Sequence, residues 1–491
     1  MQEHGSNHSE SETKTPQRLP RVLGLFDATM IVVGSIIGSG IFLKVSSVDT
    51  ALGPYGFAPI IGIWLFVGVI TLCGSLALAE LGAMFPEAGG PYLYIREAYG
   101  RLPAFLWGWT EFWVVRTGSV GALACATVVY FNELLPLTPF GQVALAITIV
   151  TGLSAVNLVS TRAGATVQSI ATVTKVSFLA ALILLPFLFR QTNPELLQPL
   201  WSYPDQPGAL AGFIKAFGVA MVAVLWPYDG WINLGPVAED IRNPQRNVPR
   251  AMAIGLGIVV IVYLGANFSY HLVLPVSQLS ESRTVAADVF EKMFGATGAK
   301  IAALGVMVST FGATNSNMIT GPRIYLAIAR DGLIPAWLHK IHPRFRTPAN
   351  TILIQAVWTI VLIGLFSVWD PNGTPDSTGI RAEQSARMKA AFDLLTDSVI
   401  CAGLIFYGLA VSAVYVLRFR RPEMTRPYRT WGYPLTPALL LAAYVATFVS
   451  MLIEQWNSTR LVLALIAIGI CYYFAVSSFA GRRHENGSAL K

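Results

Sequence analysis

The chain has 491 residues, 54% of them apolar and 12% charged, with a mean hydropathy of +0.56. An ordinary soluble domain carries about 25% charge, so a soluble enzyme is excluded. The net charge of +7 comes from basic residues spread through short loops and not gathered in a patch, so no nucleic-acid partner is indicated.

Residues 1 to 24 are polar and lead into the first apolar run without a small-residue cleavage site, which predicts a cytoplasmic tail and not a signal peptide. Twelve apolar runs follow, at 25 to 49, 57 to 85, 103 to 131, 141 to 158, 165 to 189, 211 to 239, 250 to 275, 298 to 322, 347 to 367, 391 to 418, 434 to 454 and 459 to 480. Each is close to the ~20 residues that a helix needs to cross hydrocarbon. The expectation is an all-α polytopic membrane protein with twelve transmembrane helices. With the N-terminus inside, the inner segments carry 22 Lys and Arg and the outer loops carry 7. That bias puts both termini, including a tail at 481 to 491, in the cytoplasm. The expected location is the plasma (cytoplasmic) membrane. Cys73, Cys125, Cys401 and Cys471 all lie within apolar runs, so neither a disulfide framework nor a thiolate metal site is indicated.

Run one is interrupted at GSIIGSGIF, residues 34 to 42, and run six at WPYDGWINLGP, residues 226 to 236. The two are five runs apart. In a fold of two five-helix halves, 25 to 189 and 211 to 418, they cross in opposite directions, and 434 to 480 supplies two further helices. Paired broken helices in opposed halves point to a transport site at the bilayer midplane.

Glycine in mid-span frees backbone groups that lipid cannot satisfy. A half-helix beginning near Gly40 aims amide donors and a positive dipole end at an anion, so a carboxylate is expected at Ile37, Gly38, Ser39 and Gly40. The alternative is a small-residue packing face, since Gly34 and Gly38 form GxxxG. In run six Pro227 removes a backbone donor, which either makes a simple proline kink or frees carbonyls that suit an ammonium group. Trp226 opens that break. Asp229 is a substrate or proton contact, or else a structural anchor.

Lys175 is ten residues into run five, ~15 Å deep at 1.5 Å per residue, and needs an acceptor. It either bridges to run one where a sodium ion would sit, exchanges a proton, or pairs structurally. Lys44 and Lys215 lie near run ends and snorkel. Glu111 and Arg116 in run three compensate each other's charge. Thr314, Asn315, Ser316 and Asn317 in run eight line the cavity or bond between helices, and Asn315 is the candidate substrate contact. No His, Cys or carboxylate cluster has metal-ligand spacing, His271 being the one histidine within a run, and no Walker A motif occurs.

These motifs, with EDIRNPQRNVPRA at 239 to 251, FGATNSNMITGPRIYLAIARDGLIP at 311 to 335 and VLRFRRPEMTRPYR at 416 to 429, resemble the amino acid-polyamine-organocation superfamily, above all its L-type amino acid transporter branch. The resemblance covers 22 to 430. It implies the five-plus-five inverted-repeat fold of a bacterial leucine transporter, with helices one and six broken. It also implies carboxylate capture by the amides of Gly38, Ser39 and Gly40, Trp226 as the occluding aromatic, and Lys175 in a sodium-like position. Two features depart from the family. Pro227 stands where a small residue is usual, and the 132 to 140 loop lacks the cysteine that joins animal members to a glycoprotein, so no disulfide-linked heavy chain is expected.

The sequence therefore predicts a sodium-independent amino acid transporter working by alternating access, an exchanger or a proton-coupled permease for neutral L-amino acids, with no cofactor. The competing readings are a carrier of cationic amino acids or polyamines, with Asp229 meeting the distal charge, and a transporter-like amino acid sensor.

Overall fold

The computed structural model describes residues 19–203, 208–282, 284–368 and 380–488. The first 18 residues of the expected N-terminal tail and the last three of the C-terminal one lie outside the described residues. Among the described residues, eleven helices are long and apolar enough to cross a membrane, and Ala349–Leu365 is a shorter apolar helix. The latter belongs to a 20-residue helix, Ala349–Val368, ~30 Å long at 1.5 Å per residue. Every expected run thus has its helix, and the spans are numbered as the runs were.

Three spans carry breaks. Span one is a helix at Leu25–Ile36 followed by a short one at Gly40–Leu43 and a further helix at Val45–Leu52. Span six is a helix at Ala209–Tyr228 that passes into a 3-10 segment at Trp231–Asp240. Span eight lies within Val285–Arg330, which kinks at Gly295. Two boundaries differ from the sequence expectation. The helix of span ten starts at Ile380, well before its apolar run, and that of span twelve continues to Ser488, so most of the expected C-terminal tail is helical.

Spans two (Phe57–Met84) and seven (Pro244–Val273) pack along each other, as do spans three (Arg101–Leu134, with a π turn at Glu111–Val115) and eight. Partners five positions apart are what an inverted repeat brings face to face. Span one is central, against spans five (Thr161–Leu188) and seven, with spans six and eight beside it. Spans eleven (Leu435–Glu454) and twelve pack on the rim, against span ten and spans two and three. Large apolar side chains such as Ile261, Val445 and Ile453 face outward, where lipid is as good a solvent for them as a core.

Candidate substrate and coupling site

The break in span one leaves a string of carbonyls, and the surrounding side chains satisfy them. Lys175 Nζ donates to Gly34 O at 3.0 Å, Ile37 O at 2.5 Å and Ser309 O at 3.1 Å. Ser309 Oγ donates to Gly38 O at 3.0 Å. The Tyr263 hydroxyl is shared between Ile36 O at 3.1 Å and Pro227 O at 2.8 Å, and so ties the two breaks together. Ser35 and Ser316 bond through their hydroxyls. Orphaned backbone groups in a dry interior cost about 1–3 kcal/mol each, which explains why polar side chains converge on this point. The amides of Gly38, Ser39 and Gly40 are different: among the described residues no backbone acceptor meets them.

Span six breaks because Asp229 is extended and Gly230 has φ +104°, a region that side chains avoid. The two breaks also cross without room for a side chain on either glycine. A Cβ on Gly230 would lie 2.7 Å from Ser35 O, and one on Gly40 would lie 2.6 Å from Pro227 Cα. A narrow cavity remains between them. Its walls are Ser35, Gly38, Ser39 and Gly40 from span one, Trp226, Asp229, Gly230 and Asn233 from span six, Ser119 and Leu123 from span three, and Ala313 and Asn317 from span eight. Trp226 reaches across it, with Nε1 3.4 Å from Ser39 Oγ.

Of the candidates read from the sequence, Gly38, Ser39, Gly40, Trp226 and Asp229 line this cavity. Ile37 and Pro227 stand behind it, their carbonyls committed to Lys175 and Tyr263. Asn315 does not line it. Its amide donates to Gly164 O at 3.0 Å and Gln168 Oε1 at 3.2 Å, and its own oxygen accepts from Asn157 at 2.8 Å, so it joins spans four, five and eight. Two residues further on, ~200° around the helix, Asn317 takes the cavity wall.

Glu111 and Arg116 do pair, with Nε to Oε2 at 3.0 Å, and the π turn between them gives an i, i+5 pair that an α-helix would place on different faces. Arg116 does more than compensate charge. It donates to Asn233 Oδ1 at 2.7 Å and Asn317 Oδ1 at 2.6 Å, fixing both amides at the cavity edge. Asp229 shares a second small cavity with Tyr407. Ser119, Asn233, Tyr263 and Tyr407 were not singled out from the sequence, and Asn317 was read only as a member of the run-eight polar cluster. Of the four that were missed, Asn233 alone had a signal, its place within the run-six interruption.

At the end of the bundle carrying the N-terminal segment, a second polar cluster ties that segment to spans six and eight and to the Ala88 turn. Glu239 pairs with Arg330 at 2.8 Å and accepts the amides of Leu19 at 2.6 Å and Ala88 at 3.0 Å. Asp240 pairs with Arg323 at 2.6 Å, and its carbonyl accepts the Leu23 amide at 3.0 Å. Glu239→Gln is expected to weaken this cluster by about 1–3 kcal/mol. In a protein freed of its native cysteines, a cysteine in place of Leu19, a 4% exposed position, should then react several-fold faster with a thiol reagent. Unchanged labelling would show that Glu239 holds nothing shut.

Two broken helices crossing at a polar cavity inside an inverted-repeat bundle define a secondary transporter. Residues 23–484 match the family model described as amino acid permease, and the chain belongs to that family, within the superfamily its motifs resemble. It is a transporter of amino acids and not an enzyme. The chain is 30% identical over 467 residues to the serine/threonine exchanger SteT of Bacillus subtilis, covering 93% of this chain and 97% of that protein. It is 30% identical to the human b(0,+)-type amino acid transporter 1 over 95% of this chain and 90% of that one. The mouse large neutral amino acids transporter small subunit 2 is 29% identical over 93% and 81%.

Proposed function

We propose that the protein is a sodium-independent exchanger of neutral L-amino acids, working by alternating access in the plasma membrane with both termini cytoplasmic. The observation that carries the reading is Lys175, whose ammonium occupies the carbonyls of the broken first span. A sodium ion and a fixed ammonium would repel each other too strongly to share that site. The amides at Gly38, Ser39 and Gly40, which no backbone acceptor among the described residues meets, hold the substrate carboxylate, and Trp226 closes over it. The repeats are 25 to 189 and 211 to 418, with 434 to 480 added. No disulfide-linked partner is needed, since the loop at 132 to 140 has no cysteine. SteT and the b(0,+)-type transporter, an exchanger and an amino acid transporter by name, support the class of substrate.

Counterflow in proteoliposomes tests this, with unlabelled amino acids competing. Equal rates in sodium and choline are expected, and a strict sodium requirement would overturn the reading. A sensor would give no counterflow. Asp229 at the cavity wall favours a second reading, a cationic substrate, in which lysine or a polyamine competes better than serine. Trp226→Ala should release bound substrate at least about fivefold faster, a lid contribution of about 1 kcal/mol. Unchanged occlusion would leave the tryptophan a packing residue.

A further inference from the structure

The outer half of span one is tied to span seven by two side chains that the transport cycle above does not use. Asp49 lies on the Val45–Leu52 helix and His271 near the end of span seven, and they are 1% and 0% exposed. His271 Nδ1 is 2.8 Å from the carbonyl oxygen of Asn267, one turn back, and Nε2 is 3.2 Å from Asp49 Oδ1. A carbonyl can only accept, so Nδ1 carries the hydrogen. In a neutral imidazole Nε2 is then a bare acceptor, and it faces a carboxylate oxygen, which is an acceptor too. The contact holds only with a proton between them, as imidazolium against carboxylate or as carboxylic acid against imidazole.

The surroundings offer no substitute for that proton. Among the described residues, Asp49 Oδ2 has no hydrogen-bond partner. The ring of Phe57 from span two covers the imidazole, with centroids 5.2 Å apart. The neighbouring elements carry Lys44 at the start of the Val45 helix, Glu281 on the helix Val276–Glu281, Lys215 on span six, paired with Glu454 at 3.1 Å, and Tyr270, which donates to Ile41 O at 3.4 Å. Among the described residues, Asp49 is the ion-pair partner of His271.

We propose that Asp49 and His271 form a proton-binding site that latches the outer half of span one to span seven, so that the outer end opens when the proton leaves. On opening, the proton passes to water or hydroxide of the external medium. Neutral imidazole and a carboxylate remain, with lone pairs facing each other in a dry site, and the helix at Val45–Leu52 is released.

The inference rests on the transport reading, and the test separates the two. Exchange is measured in proteoliposomes with equal pH on both sides, using the amino acid that the competition panel selects. From about pH 5.5 to about pH 8.5 the wild-type rate should rise about threefold or more, the range over which histidine titrates. Asp49→Asn should stay near the acidic rate and change by less than about 1.5-fold, because its amide donates a hydrogen to Nε2 that no base removes. His271→Gln should be equally flat, and it reads the site if the asparagine variant fails to fold. A wild type that exchanges amino acids at one rate across this range leaves transport intact and overturns the latch. A folded Asp49→Asn protein that keeps the wild-type profile also overturns it, since the response then belongs to another group such as Lys175.

Discussion

Lys175→Ala is expected to lower exchange by at least about 100-fold, equivalent to about 2.7 kcal/mol in a rate-limiting barrier, while expression stays near that of the wild type. The ammonium touches Gly34 O, Ile37 O and Ser309 O, on spans one and eight, from span five. Hydrogen bonds to a charged group contribute about 1.5–3 kcal/mol each, so losing even one or two of them in a single conformation reaches the required size. The loss acts on the cycle because the three spans belong to parts that alternating access moves against each other. Lys175→Met, which keeps the length and drops the charge, should fail as badly. Exchange within about threefold of wild type in either variant would reduce the lysine to a packing residue.

Chain order and composition made the spans, their number and both interruptions legible, because glycine and proline in mid-membrane disobey the rule that lipid imposes on backbone. The depth of Lys175 announced an acceptor, and the freed carbonyls nearby were the natural candidates. Rotation about a helix axis was not legible. The cluster at 314 to 317 has a polar residue at every position, so nothing in it tells which side chain faces the cavity, and Asn315 and Asn317 exchanged places. The Glu111 and Arg116 pair depends on a π turn that no periodicity announces. The cluster around Glu239 could not be read either, since it joins residues 220 apart in sequence, Leu19 and Glu239, through a backbone amide that has no side-chain signature.

Gly40→Ala is expected to abolish binding, and the crossing of the two breaks gives the reason. The sequence alone suggests that a bulky residue at Gly40, such as valine, would fill the approach to the amides. In the structure a single methyl is enough. A Cβ there would lie 2.6 Å from Pro227 Cα, 2.7 Å from Pro227 Cγ and 2.8 Å from Pro227 N. Overpacking a tight site costs about 1–3 kcal/mol when side chains can yield, and two of these three atoms are backbone that cannot. The half-helix beginning at Gly40 must therefore move off span six, and the amides at Ser39 and Gly40 move with it. Gly38 is the control. Its Cβ would meet the Leu123 and Ala313 side chains at 3.3 and 3.4 Å and the Ile36 carbonyl oxygen at an ordinary 4.0 Å, so Gly38→Ala should lose about tenfold or less. Competition by free amino acids against their amides and decarboxylated amines measures the carboxylate contact directly, and the amides and amines should compete poorly in the wild type. Pro227→Ala removes Cγ but leaves Cα and N in place, so it should not rescue Gly40→Ala. Wild-type affinity in a folded Gly40→Ala protein, or full rescue by Pro227→Ala, would sever the carboxylate site from the crossing of the broken helices.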